Sequence, residues 1–353
     1  MKKKVVILGA GLSGLLTAFR LKKLGYTVQV FEARERIGGR IYTHLAASET
    51  HVEMGATWFG LQHTHLLGLL KELNIGHYEQ HTKGDAFFEP FSLAPPQKIS
   101  VPDQMPSYRI AGGSGKLIKT LRSTLDEEEI ALRTKIETLD FRGEKVFVLG
   151  MDAKWEADIV VSTLPPGLLF RSIQFQPEID NEVNTIGLNT HTWMQDSIKT
   201  AIVYKEPFWR VSDLSGTVFS NVGPFSELYD HSNESVTKYA LCGFVNGGYA
   251  RLSASDRQQK VMAQLEKIFG EQVKHHIDYI ECIWNDVWTK HPDMPDIFPH
   301  QNNGHPIFEQ LHFGNRFFVS GAETAQHFPG YMDGAVQSAE RVVRQINSLY
   351  PIS

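Results

Sequence analysis

Cysteine is nearly absent from this sequence: Cys242 and Cys282 are the only two in 353 residues. Two such distant thiols build neither a disulfide framework nor a metal cluster, and they fit a reducing compartment such as the cytoplasm. Long apolar runs are missing too. No segment reaches the ~18 continuous apolar residues that a membrane span needs. The sequence stops at Ser353 just after its last expected helix, so no C-terminal anchor is expected. A concentrated basic face is the third absence. The formal net charge is -5, with no long run of either sign beyond Asp126 to Glu129. Nucleic acid, whose phosphates demand such a face, is therefore excluded as a partner. Metal is not expected either, because His63-Thr64-His65 and His275-His276 have no acid or cysteine at ligand spacing.

What is present is an ordinary globular composition, 42% hydrophobic and 21% charged, able to bury a core. The length suggests two domains. Met1-Lys2-Lys3-Lys4 and the apolar run behind it imitate a signal peptide. Gly9, Gly11 and Gly14 interrupt that run, no small-x-small cleavage site follows, and Arg20, Lys22 and Lys23 come at once, so a first buried strand is the better reading. Lys4 to Leu8 reads as a parallel strand, Leu12 to Leu24 as a helix ended by Gly25, and Thr27 to Phe31 as a second strand. This βαβ unit predicts a parallel sheet with helices on both faces.

Further strands are expected at Lys135 to Asp140, Lys145 to Leu149, Ile159 to Thr163 and Asn315 to Ser320. Helices are expected at Lys116 to Ser123, Ser255 to Phe269 and Gly334 to Leu349, and a strand-rich region from Ser197 to about Trp288. Residues 81 to 108, rich in Pro, Phe, Ser and Gln, read as an irregular connection, and Pro165-Pro166 as a breaker. The expected fold is α/β: a Rossmann-like nucleotide domain from 1–77, 111–188 and 295–353, and an α+β substrate domain on a mixed sheet from 78–110 and 189–294.

Gly9-Ala10-Gly11-Leu12-Ser13-Gly14 sits between strand and helix, and Glu32 ends the next strand. Gly9 makes the tight turn, Gly11 admits a pyrophosphate to the backbone, and Gly14 lets the helix pack on the sheet. The helix N-terminus offers free N–H groups and partial positive charge to phosphates. Glu32 is suited to the ribose hydroxyls and disfavours a 2′-phosphate. Ala33 and Arg34 follow, then Gly38-Gly39-Arg40, a cationic loop beside the pyrophosphate position.

These segments resemble the flavin-containing amine oxidase family, which includes monoamine, polyamine and L-amino-acid oxidases. There a Gly-Gly-Arg loop after the ribose acid helps hold FAD. Val52 to Trp58 looks like the family's next segment, which implies that Gly55, Ala56 and Thr57 lie near the flavin. Ser320-Gly321-Ala322-Glu323-Thr324-Ala325 and Pro329 to Val336 resemble the segment under the isoalloxazine ring. The resemblance implies that Glu323 contacts the ribityl or phosphate region, that Met332 offers its backbone N–H to the flavin, and that Tyr331 faces substrate. Ile136 completes the expected cofactor-binding set.

Ser197 to Arg210, with its Lys-Glu-Pro-Phe-Trp run, is similar to the stretch that carries the family's lysine near flavin N5. That lysine falls on Lys199, and Trp284 matches a tryptophan placed near it. The expected catalytic set is thus Lys199, Tyr331 and Trp284. Three departures stand against the family pattern. The second aromatic wall of the amine cage falls near Met294, with Trp288 as a further contributor. The cysteine used for covalent flavin is replaced by Asp293 or a neighbour, so FAD should be non-covalent. The shortened 81–108 connection leaves out a helical roof.

The function implied is oxidation of an amine to an imine, by loss of a hydride equivalent from its α-carbon, with oxygen as acceptor and hydrogen peroxide as product; the missing roof leaves room for a substrate larger than a small amine. A dehydrogenase or desaturase of a non-amine substrate on the same scaffold is the alternative, and a flavin-binding protein without turnover a further one. No arginine falls to a substrate carboxylate, and nothing fixes the oligomeric state.

Overall fold

Val5, Val6, Ile7 and Leu8 are almost wholly buried because the strand they form is covered on both faces. The computed structural model describes residues 2–102, 105–151, 153–195, 197–285 and 297–352. Lys4–Leu8 lies at the centre of a five-stranded parallel sheet. Ile159–Ser162 and then Phe317–Val319 flank it on one side, Thr27–Phe31 and then Ile130–Ala131 on the other. The start, middle and end of the chain thus meet in one sheet, as expected for a doubly covered nucleotide fold.

The helix Leu12–Lys23 packs against the long C-terminal helix Met332–Leu349. Small residues allow the close approach: Ser13 Oγ lies 3.5 Å from Ser338 Oγ on that helix and 2.7 Å from Ser320 Oγ at the end of the neighbouring strand. At the outer end Arg20 bridges Glu72 and Glu340 and fixes three helices together. A four-stranded sheet runs in the order Lys154–Ala157, Val146–Gly150, Ile136–Asp140, Gln174–Gln176. Its apolar face, with Leu139, Val146 and Val148, joins the sheet residues Val6, Leu8 and Val160 in a second core.

The third sheet has seven strands, in the order Asp278–Ile283, Ile198–Tyr204, Tyr239–Val245, Phe225–Asp230, Leu214–Ser220, Asp85–Glu89, Gln97–Ile99. It is mixed: the Leu214–Ser220 and Asp85–Glu89 pair is parallel and the rest antiparallel. The amphipathic helix Ala254–Phe269 buries Val261, Leu265 and Ile268 against one face.

Two expectations fail here. The 81–108 stretch is not wholly irregular, because Asp85–Glu89 and Gln97–Ile99 form the edge of the mixed sheet. The two pair with each other, and Asp85–Glu89 joins the sheet through Leu214–Ser220, well over a hundred residues away, so composition masked strands that are completed by tertiary pairing. Pro166 does not merely break the chain. It is the first residue of a helix, Pro166–Ser172, where its missing N–H costs nothing. Helices Thr64–Glu72 and Asn181–Leu188 were not anticipated.

Candidate active site

A single cavity of about 1090 Å³ runs along the edge of the parallel sheet to the mixed sheet. At its head the fingerprint adopts the geometry that its glycines allow. Gly9 sits at φ +100, and a Cβ on Gly14 would stand 2.0 Å from the Gly9 carbonyl oxygen, so the helix can approach the turn only without a side chain there. Gly11, Leu12 and Ser13 line the cavity, while Gly14 is turned away into the packing. The Leu12–Lys23 helix has no side-chain cap and no acid in its first turn, so its first N–H groups are left for something else.

The carboxylate of Glu32 is buried and also lines the cavity. Its oxygens accept from the backbone N–H groups of Ala10 at 2.8 Å and Arg34 at 2.9 Å. Each oxygen keeps a lone pair for a further donor. Ala33, Arg34 and Ile136 complete this end. Gly38 and Gly39 bring the next loop against Gly11, where a Cβ on Gly39 would lie 3.3 Å from the Gly11 Cα. Arg40 faces the cavity and is held from behind by Glu323, at 2.5 and 2.8 Å.

Glu323 is fully buried and is not part of the cavity wall. It accepts from Arg40, which faces the cavity, and from the Trp193 N–H.

The far end is built by the mixed sheet. Gly55, Ala56 and Thr57 form one wall, close-packed because a Cβ on Gly55 would lie 2.1 Å from the Arg40 carbonyl oxygen. Lys199 is fully buried, and its Nζ donates to the Gly55 carbonyl at 2.6 Å and to Thr57 Oγ1. It lies 4.6 Å from the centre of the Trp58 ring and 5.4 Å from that of Phe244. Burial lowers its pKa from the ordinary lysine value, partly opposed by Cys242 and Glu53.

Tyr331 and Met332 line the cavity at the start of the C-terminal helix, which has no side-chain cap. The Tyr331 ring stacks on Trp193, with centroids 6.2 Å apart and planes 26° apart, and lies 5.3 Å from His63. Burial pushes His63 and His191 below the ordinary histidine range, against the opposing pull of Asp333 and Glu323. Asp333, buried just inside that helix, accepts from the Leu66 N–H at 2.8 Å and ties the Thr64–Glu72 helix to the site.

Trp284 is not in the cavity wall. Its Nε1 donates to the Met54 carbonyl at 2.7 Å and its ring packs between Arg34 and Arg36, behind the Gly55 segment. The aromatic residues beside Lys199 are Trp58 and Phe244. Trp58 was legible only as part of a motif, and Phe244 depends on strand pairing. Trp193, His191 and Glu227 also line the cavity without a preceding sequence signal. Met294, Asp293 and Trp288 lie outside the described residues. Among those described, no group of three or more His, Cys, Asp or Glu could hold a metal, and no helix is long and apolar enough to cross a membrane.

FAD fits this cavity. An extended channel, two uncapped helix N-termini and an acid with spare lone pairs supply what an adenosine ribose, a pyrophosphate and a flavin ring each require. The fold and the site together define an FAD-dependent oxidoreductase.

The chain belongs to the flavin containing amine oxidoreductase family, whose sequence profile matches residues 12–92 and 91–347. It is 24% identical to amine oxidase [flavin-containing] B of Bos taurus over 98% of this chain and 86% of that protein. That alignment takes 454 positions against 353 residues here, so a good part of the relative faces gaps. Among solved structures, a putrescine oxidase bound to putrescine superposes with a TM-score of 0.84 at 21% identity, and a cyclohexylamine oxidase from Brevibacterium oxydans with 0.86 at 17%. Each covers 99% of both chains.

Proposed function

We propose that this protein oxidises an amine to an imine and passes the two electrons and two protons to oxygen, giving hydrogen peroxide. The observation that carries the reading is Lys199, a fully buried amine that lines the same cavity as Tyr331. Bound FAD supplies the two-electron chemistry, held without a covalent link by Glu32, Arg40, Gly11 to Ser13 and Met332. The chain supplies position and field. Two of the bonding positions of Lys199 Nζ are taken by Gly55 and Thr57. The third can hold a water in a dry wall, where a fixed donor is worth more than in bulk solvent.

Tyr331 and Trp193 offer aromatic surface on which a neutral amine can lie, and the neutral histidines His63 and His191 add no repelling charge. We also propose a cytoplasmic location, in keeping with a cysteine content too low for a disulfide framework; fractionation of source cells tests it.

The test of the activity is a panel of primary, secondary and amino-acid amines presented to the yellow holoprotein, with peroxide detection. Peroxide formed in step with amine consumption supports the reading. Flavin reduction by an amine without peroxide in air removes the oxygen half and favours a dehydrogenase.

A further inference from the structure

Thr57 is buried where Lys199, Gly55 and the cavity wall meet. Its hydroxyl donates to the Gly55 carbonyl at 3.0 Å, two residues back along the chain. Lys199 Nζ donates to the same carbonyl at 2.6 Å and also to Thr57 Oγ1. The three groups close a triangle of hydrogen bonds.

Donor and acceptor capacities fix the direction of each bond. A charged lysine donates three bonds and accepts none. Thr57 must therefore accept from Lys199 and send its own proton elsewhere, and the Gly55 carbonyl takes it. That carbonyl has two lone pairs, and Thr57 and Lys199 use both.

The frame around the triangle is tied down. A Cβ on Gly55 would stand 2.1 Å from the Arg40 carbonyl oxygen, so the backbone is close-packed there. The preceding peptide groups are held from the mixed sheet: the Glu53 N–H donates to His231 Nε2 at 3.1 Å, and the Met54 carbonyl accepts from Trp284. The Lys199 strand is paired on both sides, with Phe244 and Cys282 directly opposite the lysine. With the side chain and two N–H bonds fixed on a tetrahedral nitrogen, the third N–H has one direction. One of the two fixing acceptors is a backbone carbonyl. The other is a hydroxyl supplied by the side chain at position 57.

We infer that Thr57 is a positioning residue for Lys199: its hydroxyl aims the third N–H of the lysine into the cavity and so governs how fast the reduced flavin reacts with oxygen. This rests on the role given to Lys199 above and adds the residue that sets its direction. As an acceptor, Thr57 also favours the charged lysine. The titratable groups around Lys199 are Glu53, Cys242, Arg109, Cys282 and His231, with Glu227 in the same cavity wall. A substitution at position 57 alters none of them.

The experiment compares wild type, Thr57→Val, Thr57→Ser and Lys199→Met as FAD-loaded proteins, and Thr57→Val combined with Lys199→Met. The flavin is reduced photochemically, without an amine, and its reoxidation by oxygen is followed across pH. The Lys199 Nζ signal is titrated by NMR in the oxidised, ¹⁵N-lysine-labelled proteins and assigned by its loss in Lys199→Met. Thr57→Val, which keeps the shape and removes the hydroxyl, should slow reoxidation about 10-fold. The lysine titration and the fall in rate with rising pH should both move to lower pH. Thr57→Ser should recover the rate and both pH profiles, and Thr57→Val should add nothing to Lys199→Met. Reoxidation of Thr57→Val at the wild-type rate, a Thr57→Ser as slow as Thr57→Val, or a further 10-fold loss in the double variant overturns the inference. A protein that no amine reduces but whose reoxidation follows the expected pattern contradicts amine oxidation and leaves the inference supported. Amine bleaching with reoxidation indifferent to Thr57 overturns the inference alone.

Discussion

The two ends of the cavity are built on different principles. The nucleotide end is built mainly of backbone, with glycines, helix N-termini, one acid and Arg40, most of it within the first forty residues. The substrate end is made of side chains from strands far apart in sequence, Lys199, Phe244 and Glu227, brought level by sheet register. Local backbone geometry leaves a readable motif. Cross-strand rows do not, because a one-residue bulge changes which side chains face the ligand.

The contrast can be broken at either end. The largest effect is expected for Gly14→Val, where the added side chain collides with the Gly9 carbonyl. The variant should be purified colourless or fail to fold; a yellow, fully stable protein would show that the helix does not need this approach. Next comes Lys199→Met, expected to slow flavin reoxidation by oxygen about 10²- to 10³-fold, the cost of removing one preorganised donor.

Its pH dependence sharpens the point. Because burial depresses the Lys199 pKa, the wild-type reoxidation rate should fall as pH rises through a value below the ordinary lysine range, and Lys199→Met should lack that fall. The unfolded chain binds this proton where the folded one has released it, so stability from this group should rise with pH between the depressed value and 10.5.

Glu32→Gln comes third. An amide cannot accept at both positions, so its NH₂ faces either the Ala10 or the Arg34 N–H. FAD affinity should fall about 10-fold by titration of the apoprotein. The smallest effect is expected for Trp284→Phe, which loses the hydrogen bond to Met54, about 1 kcal/mol, and should lower Tm slightly with little change in turnover. A collapse of kcat in this variant would return Trp284 to the substrate face.

The βαβ unit and the fingerprint were legible because each depends on neighbours within about thirty residues, and the chain-end strand because its own apolar run marks it although its partner Ile159–Ser162 is distant. The mixed sheet was visible as a strand-rich region, but not its edge. Asp85–Glu89 carries no signal stronger than its proline-rich surroundings until Leu214–Ser220 pairs with it. At the site, Lys199 and Tyr331 were found through motifs and do meet one cavity. Glu323 and Trp284 carried the same motif signal, yet one side chain turns to Arg40 and the other to Met54. A motif locates backbone; it does not say which way a side chain turns once an ion pair or a carbonyl competes for it.

The account's central claim is that the Lys199 end of this cavity oxidises amines with oxygen. Stopped-flow spectroscopy of the anaerobic holoprotein mixed with each of a panel of amines, followed by mixing with air-saturated buffer, tests it most directly. The account predicts that the yellow colour bleaches with the amine and returns rapidly with oxygen in wild type, and returns slowly in Lys199→Met. Colour that no amine bleaches, or a bleached protein that oxygen restores equally fast with and without Lys199, would contradict it.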